Sequence, residues 1–331
     1  MKIKGIALSA AYVGQRVVKA ICVGAQEIWS AIKYIKFADP VVAQICATNF
    51  GDGSGLTEED AAKVTSIGLE FNGNTEIVSF DEFEKFVNVT NIPAWAFSGC
   101  KNLSSIILPP NVITINDGAF WENNFISFEI PSKVTKLDGR VLYGCSALQS
   151  IVVPNSLVTI SGQTFQGCTA LKSVHISNLF SWLNITISTP EGNPLRYSAD
   201  LYLNNILLED VVIPNGVTEI KRYSFWHSTI KSVTIPNSVT KIEQSFTYCK
   251  NLLYVDIPES IAEIGGWCFY DDSKLSYVIC RAVTPPTLGQ QAFDGTNNPI
   301  YVPDESVEAY KAASNWSTYA NRIKPLSEYQ Q

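Results

Sequence analysis

A phrase of 22 to 23 residues recurs along this chain of 331 residues. It reads Val89-Thr90-Asn91-Ile92, then Phe97, Cys100, Leu103, Ile106, Leu108 and Pro109. It returns as Val134-Thr135-Lys136-Leu137, then Leu142, Cys145, Leu148, Ile151, Val153 and Pro154. Later copies open at Leu157, Val217, Val239 and Ile261, with a degenerate one at Val112, giving start-to-start spacings of 23, 22, 23, 60, 22 and 22. A fixed period of this size marks a solenoid, in which each unit buries its apolar face only against its neighbours. The expected fold is therefore a β-rich solenoid. Each copy commits its distinctive residues to packing, which argues against a catalytic site.

Two strand-like pieces stand in every copy. The first is Val-Thr-x-Ile; the second ends in a form such as Leu252-Leu253-Tyr254-Val255-Asp256-Ile257-Pro258. Alternation points Val255 and Ile257 inward and Tyr254 and Asp256 outward. Proline then stops the strand and the polar pair after it makes a corner. Phe97, Phe120, Phe165, Phe225, Phe246 and Phe269 hold one repeat position and are expected to fill the coils. Cys100, Cys145, Cys168 and Cys249 hold another, and are read as a ladder of reduced, buried thiols. A Cys145–Cys168 disulfide between neighbouring coils is the alternative.

Around this array we read four regions: residues 1–36 as a small β-hairpin module, 37–88 as a helical N-terminal cap, 89–280 as the repeats with an insertion at 178–210, and 281–331 as a strand-helix C-terminal cap. Pro40 suits a first helical turn. Thr57 with Asp60, and Ser79 with Glu82, stand at capping-box spacing. Caps are needed because an open terminal coil exposes core and strand edge. The insertion includes a hairpin turning at Asn204-Asn205.

Composition excludes several classes. With 24 Lys+Arg against 31 Asp+Glu the net charge is −7 and no basic tract occurs, so nucleic acid is not an expected partner. No apolar run is long enough to insert into a membrane. Met1 to Ala11 begins like an export signal, but Gln15 and Arg16 interrupt it, and we expect a chain not exported by the usual route. The two histidines, His175 and His227, have no adjacent nucleophile and acid, and are expected to face solvent. Glu58-Glu59-Asp60 and Asp271-Asp272 read as helix-start charge and a loop, not as a glycosidase pair, so a glycan hydrolase lacks its carboxylates. Asn49 to Glu58 has the glycines of a calcium loop without its ligand spacing. No catalytic residue, cofactor or metal is assigned.

The outward row of the second strand is the natural binding surface. It offers Ser105, Ser127, Glu129, Ser150, Ser173, His175, Ser232, Thr234, Tyr254 and Asp256, with Trp182, Tyr197 and Tyr202 of the insertion as aromatic platforms unless folding of the insertion consumes them. A solvated β face is the plainer meaning of the serines; a shelf for host-surface glycan or protein is the functional one. Oligomeric state is not legible.

Ile235-Pro-Asn-Ser-Val-Thr-Lys-Ile242 and Phe246-Thr-Tyr-Cys249-Lys-Asn-Leu252 resemble the BspA-type family of gut Bacteroidetes, as do Leu201-Tyr-Leu-Asn204 and Tyr301-Val-Pro303 with Val307-Glu-Ala-Tyr310. That resemblance implies an α+β leucine-rich repeat and a surface or secreted adhesin. The segment carrying Tyr12, Val13, Val23 and Trp29 resembles short N-terminal modules of phage and prophage structural or tail-associated proteins. It implies docking to virion proteins through residues 1–36 and location on a phage particle. A host-encoded cell-surface or secreted adhesin of the same fold is the alternative.

Overall fold

The computed structural model describes residues 32–330 and, within the first 31, the backbone pairing of short strands. Those strands pair locally and antiparallel: Lys2–Ile3 with Ile6–Ala7, Tyr12–Val13 with Arg16–Val17, and Ala20–Val23 with Gln26–Ser30. The side chains of the expected docking residues Tyr12, Val13, Val23 and Trp29 lie outside the described residues.

From residue 79 onward the backbone winds as a stack of coils. First strands pair in parallel in perfect repeat register, Ile92 with Ile115, Ile115 with Leu137, Leu137 with Ile160. Second strands do the same, Ser127 with Ser150 and Ser150 with Ser173. Between them a corner joins coil to coil without regular strand, through bonds such as Phe97 N–H to Ala119 O at 2.8 Å and Gly144 N–H to Gln166 O at 2.8 Å. The residue two past the ring position is left-handed in each copy. It is glycine at Gly99, Gly144, Gly167 and Gly295, but Glu122, His227, Tyr248 and Asp271 adopt the same positive φ. Glycine suits the turn, and at Gly167 a Cβ would meet Gly144 Cα at 3.0 Å, so here close approach as well as φ favours its absence.

The interior matches the repeat phrase. All six phenylalanines of the ring position are fully buried. Phe225, Phe246 and Phe269 stack at 5.3 Å between centroids, within 9° of parallel. The four ladder cysteines are free and buried. Each thiol donates to a carbonyl of the preceding coil: Cys100 to Phe71, Cys145 to Phe120, Cys168 to Leu142 and Cys249 to Phe225, at 3.0–3.2 Å. Burial pushes the Cys145 thiol up to about 12 and Cys100 up to about 11. Other copies place Asn123 and Asp272 in the cysteine position. Asn123 gives its amide to Phe97 O and Cys100 O, both at 3.0 Å. Asp272 accepts from Cys249 N–H at 2.7 Å, while burial raises its carboxyl well above the ordinary range.

One capping expectation changes and two hold. Ser79 and Glu82 do not form a capping box. Ser79–Phe80 is a strand paired with Ser105–Ile106, so the second ladder starts inside the expected cap, and Glu82 accepts from Ala38 N–H at 2.8 Å. A 3-10 turn follows at Asp81–Lys85 without a side-chain cap. The helix expected to start at Pro40 is present as Pro40–Asn49, capped by Asp39, which also accepts from Val78 N–H at 2.6 Å. Thr57 caps Glu58–Ala61 as its spacing implies, with Asp60 N–H donating to its hydroxyl at 3.0 Å.

The interval 178–210 holds more than an inserted hairpin. Thr186–Ile187 continues the first ladder against Thr159–Ile160, and Asp200–Leu203 continues the second against Ser173–Ile176. One irregular coil is thus concealed in the gap. The hairpin turns at Asn204 and Asn205, both with positive φ, and Ile206–Leu207 pairs back antiparallel. Both ladders stop here and restart at Asp210–Val212 and Glu219–Ile220. Across this seam the interior remains one hydrophobic cluster. Side chains bridge it, Trp182 Nε1 donating to Ser224 O and Asn193 Nδ2 to Tyr223 O, each at 2.9 Å.

At the C-terminus, Ile300–Val302 leads through a short turn into the helix Val307–Ala312, whose Tyr310 and the following Trp316 are fully buried. A further strand, Ile323–Pro325, then pairs in parallel with Ile300–Val302.

Candidate functional site

The seam divides the expected shelf in two. On the N-terminal side Ser127, Ser150 and Ser173 align in one row, and Glu129, Val152, His175 and Tyr202 in the next. Ser105 stands one coil earlier and donates to Asp81. His175 is half-buried: its ring stacks on Tyr202 at 4.9 Å and 13°, and its Nδ1 is 3.1 Å from Asn205 Oδ1. The rows end in a shallow depression of about 690 Å³ floored by Ser150, Val152 and His175 and closed by Asn204-Asn205.

Two of the aromatic platforms fail. Trp182 is only 3% exposed because its indole crosses the seam into the core. Tyr197 is half-buried, packed on the core, and its hydroxyl accepts from Gly167 N–H at 2.9 Å. Tyr202 stays on the outer face.

On the C-terminal side Ser232 and Tyr254 share a row, continued by Tyr277, and Thr234 and Asp256 share the next, continued by Ile279. Ser232 donates to Asp210 at 2.6 Å. Tyr254 stacks on Tyr277 at 5.3 Å and 10°. Beyond them the tail folds back. Tyr329 lies 4.9 Å from Tyr277 and 5.3 Å from Tyr301, centroid to centroid. Arg281 grips Asp256 with two bonds, Nε to Oδ1 at 2.7 Å and Nη2 to Oδ2 at 2.6 Å. The result is a cleft of about 390 Å³ lined by Tyr254, Asp256, Tyr277, Ile279, Arg281, Leu326 and Tyr329. Ile279 shares the outward row of Asp256, yet it is only 4% exposed. Burial, then the Tyr329 hydroxyl, raise Tyr277 above the usual phenol range, so it stays a neutral donor. Of this cleft the sequence marked only Tyr254 and Asp256. Leu275-x-x-Val278 signals one more strand and so Tyr277, but nothing local announces that Tyr329 returns.

Other polar groups are engaged structurally. Glu58 pairs with Lys85 at 2.7 Å and Glu59 with Lys63 at 2.8 Å, while Asp272 is buried. Asp52 closes its glycine-rich turn by accepting from Ser54 and Gly55 N–H and from the Tyr34 hydroxyl. His227 is half-buried rather than free in solvent, wedged between Trp226 at 4.7 Å and Tyr248 at 4.6 Å; burial lowers its pKa. Among the described residues no helix is long and apolar enough to cross a membrane.

Comparison with known proteins adds the family. No curated protein matches the chain. Among solved structures, a leucine-rich repeat protein from Bacteroides ovatus is similar at 20% identity and a TM-score of 0.34, over 79% of this chain and 87% of that one. One from Eubacterium ventriosum is similar at 19% identity and 0.42, over 77% and 69%. A leucine rich cell surface protein from Faecalibacterium prausnitzii is similar at 20% and 0.34, over 73% and 81%. Residues 65–187 and 198–304 match the BspA type leucine rich repeat region in six copies. With that match spanning well over half of its residues, the chain belongs to the BspA type leucine-rich-repeat family.

Proposed function

We propose that this chain is a non-enzymatic recognition protein whose outer second-strand face binds glycan or protein at a bacterial surface. One observation carries the reading. The residues that define the repeat are buried, and the aligned outward rows from Ser127 to Asp256 stay at least partly exposed, bordered by the Asn204-Asn205 turn on one side of the seam and by the tail at Tyr329 on the other. A periodic face of polar and aromatic side chains on a rigid interior is suited to extended ligands. The carboxylates and histidines that chemistry would need are paired, buried or stacked.

The finer reading places the protein on a phage particle, docked through residues 1–36. The local strand pairing of Lys2–Ser30 supports it, together with the resemblance of that segment to phage structural modules. A cell-surface adhesin would use the same face.

The test is binding of the purified chain to intact bacteria. Ser150→Arg and Thr234→Arg, on the outer face, should weaken it, and Lys136→Glu, on the first-strand face, should not. Equal loss from both faces sinks the recognition surface. Recovery of the chain from membranes but never from purified particles sinks the virion reading.

A further inference from the structure

The C-terminal tyrosine cleft is built unlike the rest of the outer face, and its chemistry selects a ligand. Tyr254, Tyr277 and Tyr329 supply rings, and only Tyr254 ends the stack. Its neighbour across the ladder is Ser232, whose side chain is too small to cover a ring face, and Tyr254 is 38% exposed. Two polar groups converge beside the rings: the Asp256 carboxylate and the Arg281 guanidinium. The bidentate Asp256–Arg281 pair cancels its own charge, so the cleft favours neither an anion nor a cation, while the spare lone pairs and N–H groups still meet hydroxyls. Apolar ring faces beside a fixed donor-acceptor pair match a pyranose, which has C–H patches on its faces and hydroxyls at its edge. The volume, about 390 Å³, is at the small end of ligand sites.

We propose that this cleft binds a neutral hexopyranose unit of a glycan, seated beside the Asp256–Arg281 pair between Tyr254 and Tyr277 of the strands and Tyr329 of the tail. The proposal rests on the recognition reading above and gives it a ligand class and a location. The tail wall is what makes the site: Tyr329 is held in place by Tyr329 N–H to Leu326 O at 3.0 Å and by Ser327 N–H to Asp304 Oδ1 at 3.0 Å.

The experiment is calorimetric titration of the full chain with gluco-, galacto-, manno- and N-acetylglucosamine oligosaccharides, and with a uronate oligomer. One of the neutral sugars should bind, the uronate should not compete, and Tyr254→Ala and Tyr329→Ala should each weaken affinity about tenfold while leaving the melting temperature near the parent's. Asp256→Asn should weaken it as well, and Lys136→Glu, on the first-strand face, should leave it unchanged. Failure of every neutral sugar, a preference for uronate, or binding indifferent to Tyr254 and Tyr329 overturns the proposal. Cell binding separates the two readings. If Ser150→Arg abolishes it while the tyrosine variants do not, the cleft falls and recognition by the outer face stands. If no outer-face variant alters it, both fall.

Discussion

Residues 127–207 and 210–325 form two outer sheets over one continuous interior. Their insides are interchangeable: stacked phenylalanines, register-matched isoleucines and valines, and thiols bonded to the coil before. Their outsides are not. The first carries a serine row beside a row that ends at a histidine stacked on a tyrosine; the second carries tyrosines, an ion pair and a tail that folds back over them. Packing fixes what may face inward in every copy, whereas nothing in coil geometry fixes the outward residues. Difference between the two sheets is therefore where function is to be sought.

The sharpest way to break this comparison is to hollow the interior on each side. Phe246→Ala and Phe120→Ala should each cost about 3–5 kcal/mol in denaturant unfolding. Both rings are fully buried, so a large cost on one side alone would mean that the interiors are not equivalent. Next comes the cap. Burial acts to raise Asp39, but the N–H groups of Val78, Val42, Val41 and Ser79 more than offset it and hold the carboxyl below its ordinary value. Its contribution is present above the unfolded pKa near 4 and lost as pH falls through the lower folded value. Asp39→Ala should cost about 2 kcal/mol at neutral pH and flatten the acid limb of the stability profile.

Asp272 has the opposite sign. Its raised carboxyl is bound to a proton in the folded state that the unfolded chain releases. That contribution is complete below the unfolded pKa near 4 and declines as pH rises toward the folded value. Asp272→Asn copies the Asn123 arrangement and should add about 1–2 kcal/mol at pH 7, with no gain at pH 3. An equal gain at both pH values would remove the titration argument. The smallest effects belong outside. Ser150→Ala and Tyr254→Ala should each change stability by less than about 1 kcal/mol, as surface substitutions do, even where binding responds. Native-state thiol alkylation read by mass spectrometry offers a last check: Cys145 and Cys168 should stay unmodified until the chain unfolds.

Period and interior were legible because burial leaves few choices at each position. Phe165, Cys168 and Val255 are read correctly from spacing alone and are all fully buried. The coil within 178–210 was not, since Ile185 and Ile187 keep the strand alternation but arrive off period. The place of Trp182 was left open for a related reason. An aromatic in an irregular stretch suggests a platform, and only the fold shows that the seam draws it inward to Ser224 O. Ser79 and Glu82 satisfied a local capping rule that a long-range strand pairing overrode. Of the tyrosine cleft only Tyr254 and Asp256 were marked, on a repeat strand; the wall supplied by Leu326 and Tyr329 depends on where a tail lands.

The seam has a mechanical consequence. Elsewhere at least one backbone ladder joins each pair of neighbouring coils, and most pairs have two, so a load along the stack is shared among bonds in parallel. At residues 203–210 those ladders are interrupted, and the load passes through the hydrophobic interior and a few tethers such as Trp182 and Asn193. Pulled from its ends, the molecule should part there first, leaving each stack intact with its own set of outward residues.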